Sequence, residues 1–187
     1  MSRRLILVAV LLFSVLAEAR ERAVLVYPRE RSLFRRIFYT SHQRRLVERI
    51  AVQYDVTLHT QIATDDELFA LDVDGAKLLV VSGHGDPFAI YMAGSDQRTL
   101  DASDKARLKQ FLDRLDPAAT IVLQSCHTGQ GFAHLVKEAA GPLRRVIAAR
   151  GEIPWNGVQI TSVAPFDATI TCGVGGEERW DCTVRLR

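Results

Sequence analysis

The sequence predicts an α/β fold with a mostly parallel central sheet that is covered by helices on both faces. Apolar runs of strand length alternate with amphipathic stretches along the chain. Two of these runs, 76–82 and 120–124, are almost continuously apolar, which is typical of central strands buried on both faces. The composition, 48% hydrophobic and 25% charged over 187 residues, is that of an ordinary globular protein.

The N-terminal residues are predicted to lie outside this fold. Two arginines precede an apolar run at 5–16, and the small-x-small sequence Ala-Glu-Ala follows at 17–19. We therefore expect a signal peptide at 1–19, a secreted or periplasmic protein, and one domain at 20–187 with no membrane attachment after signal cleavage. A formal charge of +2 is too small for a nucleic-acid-binding surface, so no nucleic-acid partner is expected.

The first three elements of the domain are predicted to be a strand, a helix and a strand. Residues 23–27 are apolar and end at a proline, which predicts a strand that stops there. Residues 33–52 carry apolar side chains at helical spacing, with arginines on a solvated face. Residues 56–62 alternate between apolar and polar side chains, which predicts the second strand.

The middle of the chain contains the two buried strands, with a short strand predicted between them at 88–92. A helix is predicted at 103–115, because leucine and phenylalanine side chains recur there three and four positions apart. Asp101 or Ser103 can cap this helix. A glycine-broken turn follows the second buried strand, and the elements predicted after it are a helix near 132–140 and strands at 145–149 and 158–163.

The three cysteines are predicted to divide into a pair and a free thiol. Apolar residues alternate on both sides of a glycine pair near the C-terminus, which predicts a hairpin at about 166–187. One register of this hairpin sets Cys172 opposite Cys182, so we predict a disulfide between them in an oxidising compartment. Two free cysteines are the alternative, and Cys126 is unpaired in either case. In that register Val174 lies opposite Trp180 and Ile170 lies opposite Val184.

Chemically reactive residues follow the two buried strands. Ser-Gly-His-Gly at 82–85 ends the first, and Gln-Ser-Cys-His-Thr-Gly at 124–129 ends the second. Ligands of open α/β sheets bind at the carboxyl ends of strands, so His84 and Cys126 are expected to face one substrate carbonyl. The N–H of Gly85 can point at a developing oxyanion, and the helix expected after Cys126 favours its thiolate form.

This pattern resembles the caspase-type cysteine peptidases, a group that includes caspases, legumains, gingipains and clostripain. The resemblance lies in an apolar strand that ends in His-Gly, followed by an apolar strand that ends in Cys, in that order. It implies a three-layer caspase-like fold that acts on a peptide or protein substrate, with no metal and no cofactor. It also implies catalytic roles for His84 and Cys126 and an oxyanion hole formed by the backbone N–H groups of Gly85 and Cys126.

Gln124 is similar to the glutamine of the caspase Gln-Ala-Cys motif, so the resemblance implies that it binds substrate. The glycine that follows the nucleophile is displaced, because this chain has Cys-His-Thr-Gly at 126–129 where caspases have Cys-x-Gly. A preference for aspartate is therefore not expected. Four charged residues in loops near the predicted cleft differ in sign and leave the preference open: Arg29, Arg150, Glu152 and Asp167.

The resemblance implies acyl transfer through a thioester on Cys126. One alternative is a catalytically silent module that binds a protein or peptide in the same strand-edge cleft. Another is a transpeptidase or ligase that uses the same acyl-enzyme. Two further alternatives concern single residues: His127 could be the base, and His84, Asp86, Cys126 and His127 could together hold zinc.

Overall fold

The structure is a computed structural model that describes residues 20–29, 44–93, 100–154, 156–173 and 178–187. The predicted signal peptide at 1–19 and the first part of the helix predicted at 33–52 lie outside these residues. The strands are β1 (Glu21–Pro28), β2 (Tyr54–Ile62), β3 (Leu78–Ser82), β4 (His84–Gly85), β5 (Ile90–Tyr91), β6 (Thr120–Gln124), β7 (Arg145–Ala149), β8 (Val158–Val163), β9 (Phe166–Cys172), β10 (Trp180–Asp181) and β11 (Thr183–Leu186). The helices are α1 (44–50), α2 (Asp65–Phe69), α3 (Lys105–Asp113) and α4 (Phe132–Ala140).

Six strands form the central sheet in the order β11-β7-β6-β3-β1-β2. The pairings among β2, β1, β3, β6 and β7 are parallel, and β11 runs antiparallel to β7. The predicted fold class, α/β with a mostly parallel sheet and helices, is therefore confirmed. β3 and β6 are neighbours near its middle, and the four apolar residues of β3 and the three of β6 are all buried, as the continuous apolar runs predict.

The two faces of the sheet are covered differently. On one face, α2, α3 and α4 pack against buried strand side chains through residues such as Leu68, Phe111 and Val136. The other face packs against α1 and against a second, antiparallel sheet with the strand order β10-β9-β8. The expectation of helices on both faces is thus met on one face, whereas the second is shared between a helix and a small sheet.

Side-chain caps mark the starts of two helical segments. The carboxylate of Asp101 accepts the N–H of Ser103 (2.8 Å), so Asp101 caps a short turn at 102–104, and α3 follows it directly. The short helix α2 was not predicted, although the hydroxyl of Thr64 caps it by accepting the N–H of Glu67 (3.1 Å). Five residues are too few to show an apolar stripe of helical period. Within the described residues, no helix is long and apolar enough to cross a membrane.

The predicted disulfide is present, but the predicted register of the hairpin is wrong. Cys172 and Cys182 are bonded, with their Cα atoms 5.7 Å apart. Trp180, rather than Cys182, lies opposite Cys172, and the N–H of Cys182 donates to the Ile170 carbonyl (2.9 Å). The observed pairing is thus shifted by two residues from the predicted one. Val174, which was expected opposite Trp180, lies outside the described residues.

The last strand leaves the hairpin altogether. Val184 was expected opposite Ile170, but it lies opposite Ala148 in β7, and Leu186 lies opposite Val146. β11 therefore covers the edge of the central sheet, where β7 would otherwise present unpaired backbone groups. The disulfide sits between the two sheets, because Cys172 ends β9 of the small sheet and Cys182 precedes β11 of the large one.

Removal of the disulfide is expected to destabilise the fold. In Cys172→Ala/Cys182→Ala, the free energy of unfolding should fall by about 2–3 kcal/mol. Without the short covalent ring, the unfolded chain gains conformational entropy, which favours unfolding. Urea unfolding followed by tryptophan fluorescence measures this change, and addition of reductant to the double variant should have no further effect. A loss well below 1 kcal/mol would contradict the expected contribution. A disulfide is typical of proteins that reside in an oxidising, extracellular compartment.

Candidate functional site

The carboxyl ends of β3 and β6 meet at one edge of the sheet. The two strands are paired in parallel along their whole length, up to Ser82 opposite Gln124. The hydroxyl of Ser82 donates to the Gln124 side-chain oxygen (2.9 Å), and the N–H of Gly83 donates to the Gln124 carbonyl (3.4 Å). The side-chain oxygen of Gln124, which is predicted to bind substrate, therefore accepts a hydrogen bond that joins the two strand ends. The segments that carry His84 and Cys126 start side by side.

The segment His84–Gly85 lies against the backbone of Cys126. It forms the short strand β4, which pairs with β5. A Cβ atom added to Gly85 would lie 2.7 Å from the Cys126 carbonyl oxygen and 2.9 Å from the Ser125 Cβ atom. Such distances are closer than real Cβ contacts allow, so only glycine fits at position 85 with this backbone. Both His84 and Cys126 are half-buried, which leaves each side chain partly open to solvent.

The pairing of β4 with β5 fixes the direction of the Gly85 N–H. Gly85 lies opposite Ile90, and Ile90 exchanges both of its backbone hydrogen bonds with Leu100 (3.0 and 3.1 Å). The backbone groups of Ile90 thus point away from β4, which makes Gly85 and Ile90 a non-hydrogen-bonded antiparallel pair. In such a pair the N–H of each residue points outward, so the Gly85 N–H is directed away from β5.

The loop after β4 is fixed by the carboxylate of Asp86. One oxygen of Asp86 accepts the N–H groups of Phe88 (2.7 Å) and Ala89 (2.9 Å), and the other accepts the Tyr91 hydroxyl. The next residue in the loop also contacts α4, because the Pro87 carbonyl accepts the N–H at the start of that helix (2.7 Å). Asp86 is therefore a turn residue that holds the backbone next to His84.

The sulfur of Cys126 lies beside a backbone donor from a third segment. The N–H of Ile153 donates to Cys126 Sγ (3.3 Å). Burial raises the pKa of the Cys126 thiol, and the negative charge of Glu152 raises it further; the N–H groups of Ile153 and of Cys126 itself oppose this rise. The thiol form is therefore favoured at rest.

The expectation that a helix directly after Cys126 favours its thiolate is wrong. Five residues separate Cys126 from α4, which begins at Phe132. The first N–H of α4 is bonded to the Pro87 carbonyl rather than directed at the sulfur. The partial positive charge of a helix N-terminus falls off within one turn, so it does not offset the burial of Cys126.

Of the two alternatives based on His127, the zinc site receives no support from the geometry, and the role of His127 as the base stays a prediction. His127 has a left-handed backbone with φ of 60°, and its N–H donates to the Gly151 carbonyl (3.1 Å). Its Nδ1 atom lies 3.2 Å from the side-chain nitrogen of Gln130. Among the residues that the structure describes, which include all four candidate zinc ligands, no group of three or more His, Cys, Asp or Glu could hold a metal ion.

Of the four charged loop residues that left the substrate preference open, one acts on the sulfur. Glu152 is exposed, and its charge raises the pKa of Cys126. Arg29 instead contacts Glu67 (3.4 Å). Two arginines, Arg145 and Arg185, are paired with Asp167 (3.3 and 3.1 Å). The contact between Ile153 and the Cys126 sulfur is not predicted by the sequence analysis. Ile153 follows β7, and the parallel pairing of β7 with β6 brings it to the same sheet edge as Cys126.

Glu152→Gln is expected to lower the pKa of Cys126, because it removes a nearby negative charge that disfavours the thiolate. The midpoint of the pH–rate profile for alkylation of Cys126 by iodoacetamide should then move to lower pH. Glu138→Gln is the matched control, since Glu138 lies on α4 and pairs with Lys105 (2.6 Å), and its profile should match that of the parent chain. A midpoint that stays in place in Glu152→Gln would show that this charge does not act on the sulfur.

No protein-family model matches the chain, and no curated protein matches it.

Proposed function

We propose that this chain is an exported cysteine endopeptidase of the caspase-like type, in which Cys126 is the nucleophile and His84 the general acid–base. The observation that carries the proposal is the contact of Gly85 with the Cys126 backbone, which brings the His-Gly and Cys motifs together at one sheet edge. Export is supported by the disulfide and by the signal-like sequence at 1–19.

In the proposed mechanism, Cys126 Sγ attacks the scissile carbonyl carbon as His84 accepts the thiol proton. The C–N bond then breaks, His84 donates that proton to the leaving amine, and a thioester remains on the sulfur. Water cleaves the thioester, releasing the peptide acid and restoring the thiol. Burial favours the thiol at rest, so the attack depends on the transfer of this proton to His84.

The negative charge that develops on the carbonyl oxygen needs donors that are already in place. The Gly85 N–H is directed away from β5 and lies on the segment that contacts Cys126, which supports its role in the oxyanion hole. The N–H of Cys126 is the second proposed donor, and it also lies at its own sulfur at rest. In the acyl-transfer step the sulfur becomes bonded to carbon, which leaves this N–H available to the oxyanion.

Incubation with a diverse peptide pool tests the proposal. The chain without residues 1–19 is incubated with the pool, and the fragments are sequenced, with Cys126→Ala as the blank. The proposal requires cleavage products that are absent from the blank. The charge of the residue before the cut is an output of the same experiment. Identical fragment patterns with both proteins would refute the peptidase assignment.

A catalytically silent binding module is the second candidate, and the burial of Cys126 is the observation that favours it. A peptide-linked chloromethyl ketone distinguishes the two functions. A working nucleophile should be labelled stoichiometrically at Cys126 and more slowly in His84→Ala, whereas a structural thiol should react equally slowly in both. An added amine that competes with water for the acyl-enzyme would instead identify a transpeptidase or ligase.

A further inference from the structure

Residues 150–153 (Arg-Gly-Glu-Ile), here called the bridging segment, connect the disulfide with the candidate site. On the disulfide side, the N–H of the segment's first residue donates to the Cys182 carbonyl (3.0 Å). The carbonyl of its third residue accepts the N–H of Gly173 (3.2 Å), which follows Cys172 in the chain. A Cβ atom added to Gly151 would lie 3.1 Å from the Cys172 sulfur, so the segment packs directly on the disulfide.

The opposite side of the bridging segment contacts the residues around the nucleophile. The N–H of Ile153 donates to Cys126 Sγ (3.3 Å). The carbonyl of Gly151 accepts the N–H of His127 (3.1 Å), and the carbonyl of Arg150 accepts the side-chain N–H of Gln130 (2.5 Å). Three polar contacts therefore join the segment to the turn that carries Cys126.

We propose that the Cys172–Cys182 disulfide positions Cys126 by holding the Ile153 N–H on its sulfur through the bridging segment. The segment follows β7 and has no helix or strand of its own, so its backbone geometry depends on contacts of this kind. A donor fixed at a sulfur orients the attacking atom and stabilises charge on it. The consequence for peptide cleavage rests on the proposed function, but the positioning itself does not.

Position matters at this site because an attack on a carbonyl carbon requires an aligned sulfur. A displacement of about 1 Å can cost on the order of 100-fold in rate. If the bridging segment moved when the disulfide was removed, the Cys126 sulfur would gain solvent exposure and lose its orientation. Reaction with a small reagent, which needs only exposure, should then become faster, while peptide cleavage, which needs alignment, should become slower.

The test compares the parent chain with Cys172→Ala/Cys182→Ala, in which Cys126 is the sole thiol. Amide hydrogen exchange at Ile153, followed by NMR, should be about tenfold faster in the double variant, as expected for loss of one hydrogen bond. Alkylation of Cys126 by iodoacetamide at pH 8 should be about threefold faster or more, because burial is the largest cause of the raised thiol pKa and its relief outweighs the loss of the Ile153 N–H. Cleavage of a peptide found in the pool experiment should fall about tenfold or more.

Leu186→Ala is the matched control for loss of stability. Leu186 lies on β11 at the far end from Cys182 and packs on the helical face of the sheet. This variant should speed the exchange of core amides by lowering global stability, yet leave exchange at Ile153 and alkylation of Cys126 unchanged. If Leu186→Ala changed them as much as loss of the disulfide does, the disulfide would act through global stability alone, and the proposal would be overturned.

Gly151→Ala keeps the test decisive if the double variant does not fold. Its added Cβ would lie 3.1–3.3 Å from Cys172 and the Trp180 ring, tighter than ordinary contacts, so the packing of the segment on the disulfide must adjust while the disulfide stays intact. Faster exchange at Ile153 supports the proposal, and exchange equal to that of the parent chain contradicts it. If the parent chain cleaves no peptide, the proposed function fails, while the exchange and alkylation measurements still decide whether the disulfide positions Cys126.

Discussion

His84→Ala is expected to lower peptide cleavage by about 10²- to 10⁴-fold, the range typical of losing a general acid–base. The half-buried Cys126 thiol has to give up its proton during the reaction, and the leaving amine has to gain one, so both halves of the reaction depend on the imidazole. The measurement is kcat/KM for a peptide found in the pool experiment, with thermal unfolding as the check that the variant folds.

Two other histidines serve as comparisons for His84→Ala. His134 is exposed on α4 and has no role in the proposed mechanism, so His134→Ala should cleave the peptide at the rate of the parent chain. His127→Ala tests the alternative base, because His127 follows the nucleophile directly in sequence. A loss in His127→Ala as large as that in His84→Ala, or no loss in His84→Ala, would contradict the assignment of His84.

Several strands and one helix of this fold can be predicted from the sequence, because their buried positions carry apolar side chains in a recognisable pattern. The strands at 120–124, 145–149 and 158–163 and the helix at 132–140 have the predicted bounds. The strand predicted from 76 starts instead at Leu78, since the N–H of residue 76 closes a turn with the Val73 carbonyl (3.1 Å). The apolar character of the two buried strands indicates that both are central, but it does not show that they are neighbours, as the structure does.

The register of two paired strands is harder to predict than the face of the sheet on which each side chain lies. Alternation with a period of two specifies which residues point inward, but a shift by two residues satisfies the same alternation. The hairpin near the C-terminus uses the shifted register, with Trp180 opposite Cys172, and still forms the predicted disulfide. β11 pairs with β7, so the chain after Cys182 leaves the hairpin and joins the central sheet. That long-range pairing has no local mark in the sequence.

The protonation of the nucleophile was predicted incorrectly for a related reason. Whether Cys126 is a thiol or a thiolate depends on burial and on donors from a distant segment, and the nearest donor is the backbone N–H of Ile153. Every residue except proline carries such an N–H, so the side chain at position 153 gives no sign of its role. The motifs that contain His84 and Cys126 could be predicted from the sequence, whereas the contribution of Ile153 is visible only in the structure.

Gly85→Ala is expected to damage both the fold and the site. The added Cβ would lie 2.7 Å from the Cys126 carbonyl oxygen and 2.9 Å from the Ser125 Cβ atom, and backbone atoms cannot yield as a flexible side chain can. Overpacking of this kind costs about 1–3 kcal/mol, and relief requires β4 to move away from Cys126. That movement would displace His84 and the Gly85 N–H together, so cleavage should fall on the order of 10² to 10³-fold.

Gly75→Ala separates the loss of stability from the loss of the site. Gly75 has φ of +66°, so alanine is strained there by about 1–2 kcal/mol, but an added Cβ would meet no atom within 4 Å. Gly75 precedes β3, at the opposite end of that strand from His84. Both variants should therefore unfold at lower urea concentrations, and only Gly85→Ala should lose cleavage under folding conditions. If Gly85→Ala retained the parent rate, His84 and Cys126 would not need the close approach of their backbones to act together.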